Sequence, residues 1–146
     1  MASVKSVNIT ALDSSPSEMV DSNNSSSPIM VWHDTYEASS LASGSDITIA
    51  RIPAGATIHD VILKCDALGG SSTLKVGDSG DDDRYLAAVG TWNAAGQVQS
   101  MLGGSTAANT AVAGLGYKLS SATDLIITTG GATISGTIYF WVHYSM

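Results

Sequence analysis

Apolar residues recur at every second position in short runs along most of this chain, and glycine, proline and aspartate separate the runs. Ile47 and Ile49 alternate with Asp46, Thr48 and Ala50, the period-2 signature of a half-buried strand. Pro53-Ala54-Gly55-Ala56 then breaks the run. Proline cannot donate to a sheet ladder and glycine tolerates positive φ, so this is a turn between strands. Residues 57 to 65 are rich in branched side chains and continuous enough to predict a central strand. By the same reasoning residues 29 to 37 form a first strand with Trp32 and Tyr36 on one face, and residues 38 to 44 a small-residue connection. Further strands are predicted at 73 to 76, 84 to 89, 97 to 102, 117 to 119, 125 to 129 and 134 to 144. Gly130-Gly131-Ala132 reads as a hairpin link between the last two. In the final run Ile138, Phe140 and Val142 share one face while Thr137, Tyr139, Trp141 and His143 share the other. Bulk on both faces predicts a strand that is central or covered by another subunit.

About eight to nine short strands at this spacing define an all-β sandwich or barrel. Two sheets of about four strands with Greek-key connections make a jelly roll. No repeat at a fixed period points to a propeller or β-helix. Gly90, Gly96, Gly103 and Gly104 interrupt any helix between residues 90 and 115, each costing about 1 kcal/mol against alanine. That region is expected to hold one strand and then an alanine-rich loop.

Residues 1 to 28 differ from the body formed by residues 29 to 146. They are rich in serine and asparagine, include Pro16 and Pro28, and carry few large apolar side chains. Such a segment cannot offset its ordering entropy alone, so it is expected to be flexible or extended against a neighbouring subunit. Val4, Val7, Ile9 and Leu12 alternate well enough to add a strand to a partner's sheet edge, and Val20 is a further apolar anchor.

Composition sharpens this picture. Of 146 residues, 44% are hydrophobic and only 13% charged, against roughly 25% charged in typical soluble domains. A neutral, small-residued surface of this kind suits packing against other chains. The net charge is −7, and the six basic residues form no run that could neutralise a phosphate backbone, which excludes nucleic acid as an expected partner. No apolar stretch approaches the roughly 20 residues that span a bilayer, and the first residues lack the pattern of a secretory signal. The expected route is synthesis in the cytoplasm, where the chain stays or which it leaves by a route that needs no signal. Cys65, the single cysteine, excludes an intrachain disulfide and is expected to be a small buried hydrophobe.

Candidate chemistry is sparse. Asp78, Asp81, Asp82 and Asp83 place four carboxylates in one loop that could ligate calcium, an ion that takes six to eight oxygens. The spacing is not that of an EF-hand, because Gly80 and Val89 fall where ligands are needed. The competing reading is an Asp-rich turn closed by its own backbone hydrogen bonds, with Arg84 balancing one acid. His59-Asp60 and His33-Asp34 are adjacent on strands and point to opposite faces, so neither pair forms a dyad. No nucleophile elbow, phosphate loop or zinc spacing is present, and neither an enzyme activity nor a cofactor is expected. Trp92, in a loop, and Tyr139 with Trp141, on one strand face, are candidates for an intersubunit seam or for stacking on sugars.

Three stretches carry a family likeness: DTYEASSLASGSDITIARIPAGATIHDVIL, STLKVGDSGDDDRYLAAV and DLIITTGGATISGTIYFWVHY. Together they resemble small structural proteins of tailed bacteriophages, especially jelly-roll head decoration or cement proteins, over residues 30 to 146. The V-G-D-S-G-D-x-D-R-Y turn and the closing I-x-G-T-I strand from Ile134 to Ile138 are the most specific elements. The resemblance implies a non-enzymatic virion protein that binds the outside of the head as a homotrimer and stabilises contacts between major capsid protein subunits. Similar turns occur in tail and fibre components, so a receptor-binding head that recognises host glycan is the alternative it implies.

Overall fold

Eight strands form among the described residues of the computed structural model, which are 13–16, 28–90, 92–103 and 112–146. They are β1 (Met30–Leu41), β2 (Asp46–Ile52), β3 (Thr57–Cys65), β4 (Thr73–Asp78), β5 (Asp81–Val89), β6 (Gln97–Ser100), β7 (Thr123–Gly130) and β8 (Ile134–Ser145). A single 3-10 turn at Val112–Gly114 is the only helical element described. The strands pair into two four-stranded sheets, the first in the order β1-β8-β3-β6 and the second in the order β2-β7-β4-β5. Every pairing is antiparallel. This is the two-sheet order of a jelly roll, as the strand count and spacing predicted.

Alternation places one row of side chains from each strand between the sheets. Ile58, Val61, Leu63 and Cys65 from β3 meet Ile134, Ile138, Phe140 and Val142 from β8, and Leu74, Val76, Leu125 and Ile127 face them from the second sheet; all are buried. Two bulges adjust that alternation. Between Thr48 and Ala50 the β2–β7 register slips, so the consecutive residues Ile49 and Ala50 are both buried. A second slip between Ile58 and Asp60 re-aims the start of β3 against β8.

Consecutive strands mostly switch sheets. Only β4 and β5 are joined as a hairpin, through Ser79-Gly80 between the paired Asp78 and Asp81. The Gly130-Gly131-Ala132 segment is therefore not the hairpin link expected from its glycines. It carries the chain from β7 in the second sheet to β8 in the first. Gly131 is required there for another reason: its φ is 75°, and a Cβ would lie 1.9 Å from the Ser71 carbonyl oxygen.

Two boundaries also differ from expectation. β1 runs on to Leu41 because Ala38 packs inward and the Ser135 hydroxyl accepts a 3.0 Å bond from the Ser40 amide, bridging an irregularity between Ala38 and Leu41. Residues 117 to 119 are extended but make only one ladder bridge, Lys118 to Thr57. Their backbone is held against the turn before β3, with Leu119 donating to the Ala56 carbonyl at 2.8 Å and Ile58 to that of Tyr117 at 3.0 Å.

The arm residues Val4, Val7, Ile9, Leu12 and Val20 lie outside the described residues, as does most of the alanine-rich loop. Because Phe140 sits on the interior strand β8 with 2% exposure, Phe140→Ala should lower stability by about 3–5 kcal/mol. Chemical denaturation of the two proteins side by side measures the difference, and a loss below about 1 kcal/mol would contradict the core placement.

Candidate interaction surfaces

The outward faces of the two sheets differ in chemistry. On the second sheet the outward rows are polar and bonded among themselves. Arg51 pairs with Asp124 at 2.7 Å, the Thr128 hydroxyl donates to Asp46 at 2.8 Å, and Lys75 pairs with Asp82. Solvent screening leaves such surface contacts little weight in stability, but they leave few groups seeking a partner.

The outward face of the first sheet is aromatic and aliphatic. Register places His33, Trp141, Ile62 and Ser100 in one row across all four strands, and Thr35, Tyr139, Lys64 and Val98 in the next. His33 stacks on Trp141, with ring centroids 4.8 Å apart and planes 15° from parallel. Tyr139 and Trp141 are half-buried and flank an open depression of about 220 Å³ with Lys64, Cys65, Asp66 and Gly96. Apolar exposure continues past the rows, with Val98 at 49%, Val31 at 54% and Ile29 at 64%. Aromatic and aliphatic side chains interleaved with His33, Thr35, Lys64 and Ser100 have the mixed composition of a protein contact surface.

Trp92 is a correction to the sequence reading. Its side chain is 1% exposed inside the core, and its carbonyl accepts the Leu68 amide at 2.8 Å. Loop position and flanking glycine suggested an open ring, but tryptophan's large apolar area favours burial wherever the fold offers a cavity. It cannot stack on a sugar or fill a seam without unpacking the core. Its indole Nε1 is buried without a hydrogen-bond partner among the described residues.

The acidic loop is the β4–β5 turn, held by Asp78. One carboxylate oxygen of Asp78 accepts the amides of Gly80 at 2.9 Å and Asp81 at 3.2 Å. The other accepts Arg84 Nε and the Tyr85 hydroxyl, each at 2.9 Å. The Arg84 guanidinium in turn lies 4.1 Å from the centre of the Tyr117 ring. Burial opposes ionisation of Asp78, yet the Gly80 amide, Arg84 and Tyr85 outweigh it and hold its carboxyl below the usual range. Four carboxylates are thus not gathered into one cage. Asp81, Asp82 and Asp83 cluster, with oxygens within 4.8 Å of one another, while Asp78 closes the turn from inside. A hydrogen bond from Asp83 to Asp81 and its own burial push the Asp83 carboxyl upward, the mark of acids crowding one another.

Among the described residues, His59 meets a hydroxyl but no accessible nucleophile. His59 Nε2 lies 2.8 Å from Ser145 Oγ, but Ser145 has no solvent exposure to meet a substrate. Asp60, the neighbouring carboxylate, accepts the Ser100 hydroxyl at 2.9 Å and the Leu102 amide at 3.2 Å. Cys65 is 1% exposed, and burial followed by the charge of Asp66 pushes its thiol up to about 12. No helix among the described residues is long and apolar enough to cross a membrane.

Comparison with known proteins fixes the fold. The chain is similar to a chain in the capsid asymmetric unit of cyanophage Pam1, at 19% identity and a TM-score of 0.65, over 92% of this chain and 96% of that one. It is also similar to a chain in the capsid of Ralstonia phage GP4, at 19% identity and a TM-score of 0.59, over 82% and 84%. A third likeness is to a chain in the acid-stable capsid structure of Helicobacter pylori bacteriophage KHP30, at 10% identity and a TM-score of 0.58, over 81% and 87%. No family model matches the chain, and no curated protein does so significantly.

Asp78→Asn should destabilise the protein at pH 7, because it removes the charge that holds Arg84. A carboxyl held below its ordinary value of about 3.9 contributes stability that is complete above that value and is lost as pH falls through the depressed one. The gap between wild type and Asp78→Asn should therefore narrow below about pH 4, as followed by denaturation at a series of pH values. A gap that stays constant down to pH 2 would remove Asp78 ionisation from the stability of the turn. Cys65 should remain unreactive to a thiol reagent in the native protein and react on unfolding.

Proposed function

We propose that this chain is a structural component of a bacteriophage virion, and within it a decoration protein that binds the outside of the head. The observation that carries this reading is the mutual coverage with the Pam1 capsid chain. A match over nearly the whole of both chains means that the matched protein is a single jelly roll of comparable size, with no large additional domain. Likenesses to chains from two other phage capsids support the same reading.

The surface chemistry fits that role. The second sheet presents polar groups already bonded to one another, which suits exposure to water. The first sheet presents Tyr139, Trp141, Ile62 and Val98, which suits contact with major capsid protein subunits or with other copies in a homotrimer. Each bound copy would favour the assembled shell by mass action, and many symmetric copies would multiply weak contacts. The residues assigned to contact are Tyr139 and Trp141, together with the arm positions Val4, Val7, Ile9, Leu12 and Val20. Trp92 is withdrawn from that set. Its burial also weakens the glycan-recognition reading, which keeps only Tyr139 and Trp141 as stacking candidates. The role assigned is mechanical and includes no reaction, cofactor, nucleic acid or membrane; synthesis would be in the host cytoplasm and residence on the capsid surface.

Trp141→Ala should leave the fold intact, since the ring is only half-buried, but reduce binding to purified heads by about tenfold or more, the loss expected for a contact hot spot. Co-sedimentation of each variant with heads lacking the protein measures it. Thr48→Ala, on the polar outward face, should bind as wild type does. Equal binding by the Trp141 variant would exclude the aromatic face as the contact.

A further inference from the structure

β1 is an edge strand, and only part of its open side is blocked. Among the described residues it pairs with β8 alone. The amide of Thr35 donates to the carboxylate of its neighbour Asp34 at 2.8 Å, so Thr35 directs its N–H away from β8 toward the free side. By strand alternation Val31 and His33 direct their amides and carbonyls the same way. Asp34 thus caps the middle of the edge, and the irregularity between Ala38 and Leu41 ends it. Both are ordinary protections against unwanted pairing. Residues 29 to 33 carry neither, and their exposed side chains Ile29, Val31 and Trp32 are apolar. An unprotected apolar edge of this length is a template for one more strand.

We propose that residues 4–12 of a neighbouring copy add as a strand to this edge. The segment alternates apolar and polar residues through Val7, Ile9 and Ala11, as an added strand requires. It carries Lys5 and no carboxylate in a chain of net charge −7, while the exposed acids Asp34 and Glu37 lie just beyond the open part of the receiving edge. Residues 13–28 follow it and lead into β1; Asp13 to Pro16 form a turn, and the stretch 17–28 would reach up to about 40 Å if fully extended, enough to span to an adjacent molecule. The inference deepens the assembly reading above and rests on it, since an exchanged strand ties copies together only where copies adjoin.

The test uses full-length chains. An Ile9→Cys chain and a Val31→Cys chain, distinguishable by an affinity tag, are mixed and oxidised; buried Cys65 stays out of the reaction. A covalent heterodimer is expected. His33→Pro on the receiving chain should reduce it about tenfold, because it removes an outward N–H without touching the β1–β8 ladder. Val7→Asp on the donating chain should do the same. Absence of the heterodimer, insensitivity to both changes, or a bridge that forms only within a chain carrying both cysteines would overturn the inference. Incorporation of the Val7→Asp chain into phage particles at the wild-type level, with no heterodimer, would remove the strand exchange and leave the virion reading standing.

Discussion

The inward row of β8 is the constraint on which the body depends. Ile134, Ile138, Phe140 and Val142 are buried between the sheets, and the same strand is hydrogen-bonded to β1 on one side and β3 on the other. The pairing of Met30 with Tyr144 joins the two ends of the domain. In this topology almost every ladder links segments far apart in sequence, so each carries a loop-closure cost that local contacts do not offset. Burial between the sheets has to supply the difference, and that requires apolar residues at every inward position of the central strands.

Once that core is closed, the outward faces are free to take on separate chemistry. The second sheet uses that freedom for Arg51–Asp124 and Lys75–Asp82 pairs, and its hairpin for the Asp78–Arg84–Tyr85 network that stiffens an otherwise repulsive run of acids. The first sheet uses it for stacked and half-buried aromatics beside aliphatic side chains. Under the proposed role, the polar face would stay in water and the aromatic face would take the contact. A sandwich of this kind holds its outward side chains in place, so little ordering cost would be added on any binding through them.

Some of this was legible from the residues, and some was not. Alternation and branched side chains located all eight strands, because the inward and outward environments of a sandwich differ at every step, and also predicted one at 117 to 119 that makes a single bridge. Residues 57 to 65 read as a central strand and the two-faced bulk of 134 to 144 as one that is central or covered by another subunit; both lie inside the first sheet. Gly130-Gly131 misled because a glycine pair serves a crossing between sheets as readily as a hairpin, and only the proximity of Ser71 distinguishes them. Trp92 misled for a related reason: a loop residue is exposed or buried according to what folds against it.

The sequence by itself determined the strand class and the approximate strand limits, because these follow from local alternation and turn residues. Tertiary structure alone decided which strands are neighbours, which face of each sheet is left apolar, and that Asp78 closes its turn from within while three other acids cluster outside. Those outcomes depend on contacts between residues distant in the chain, and no local pattern encodes which distant segment will arrive.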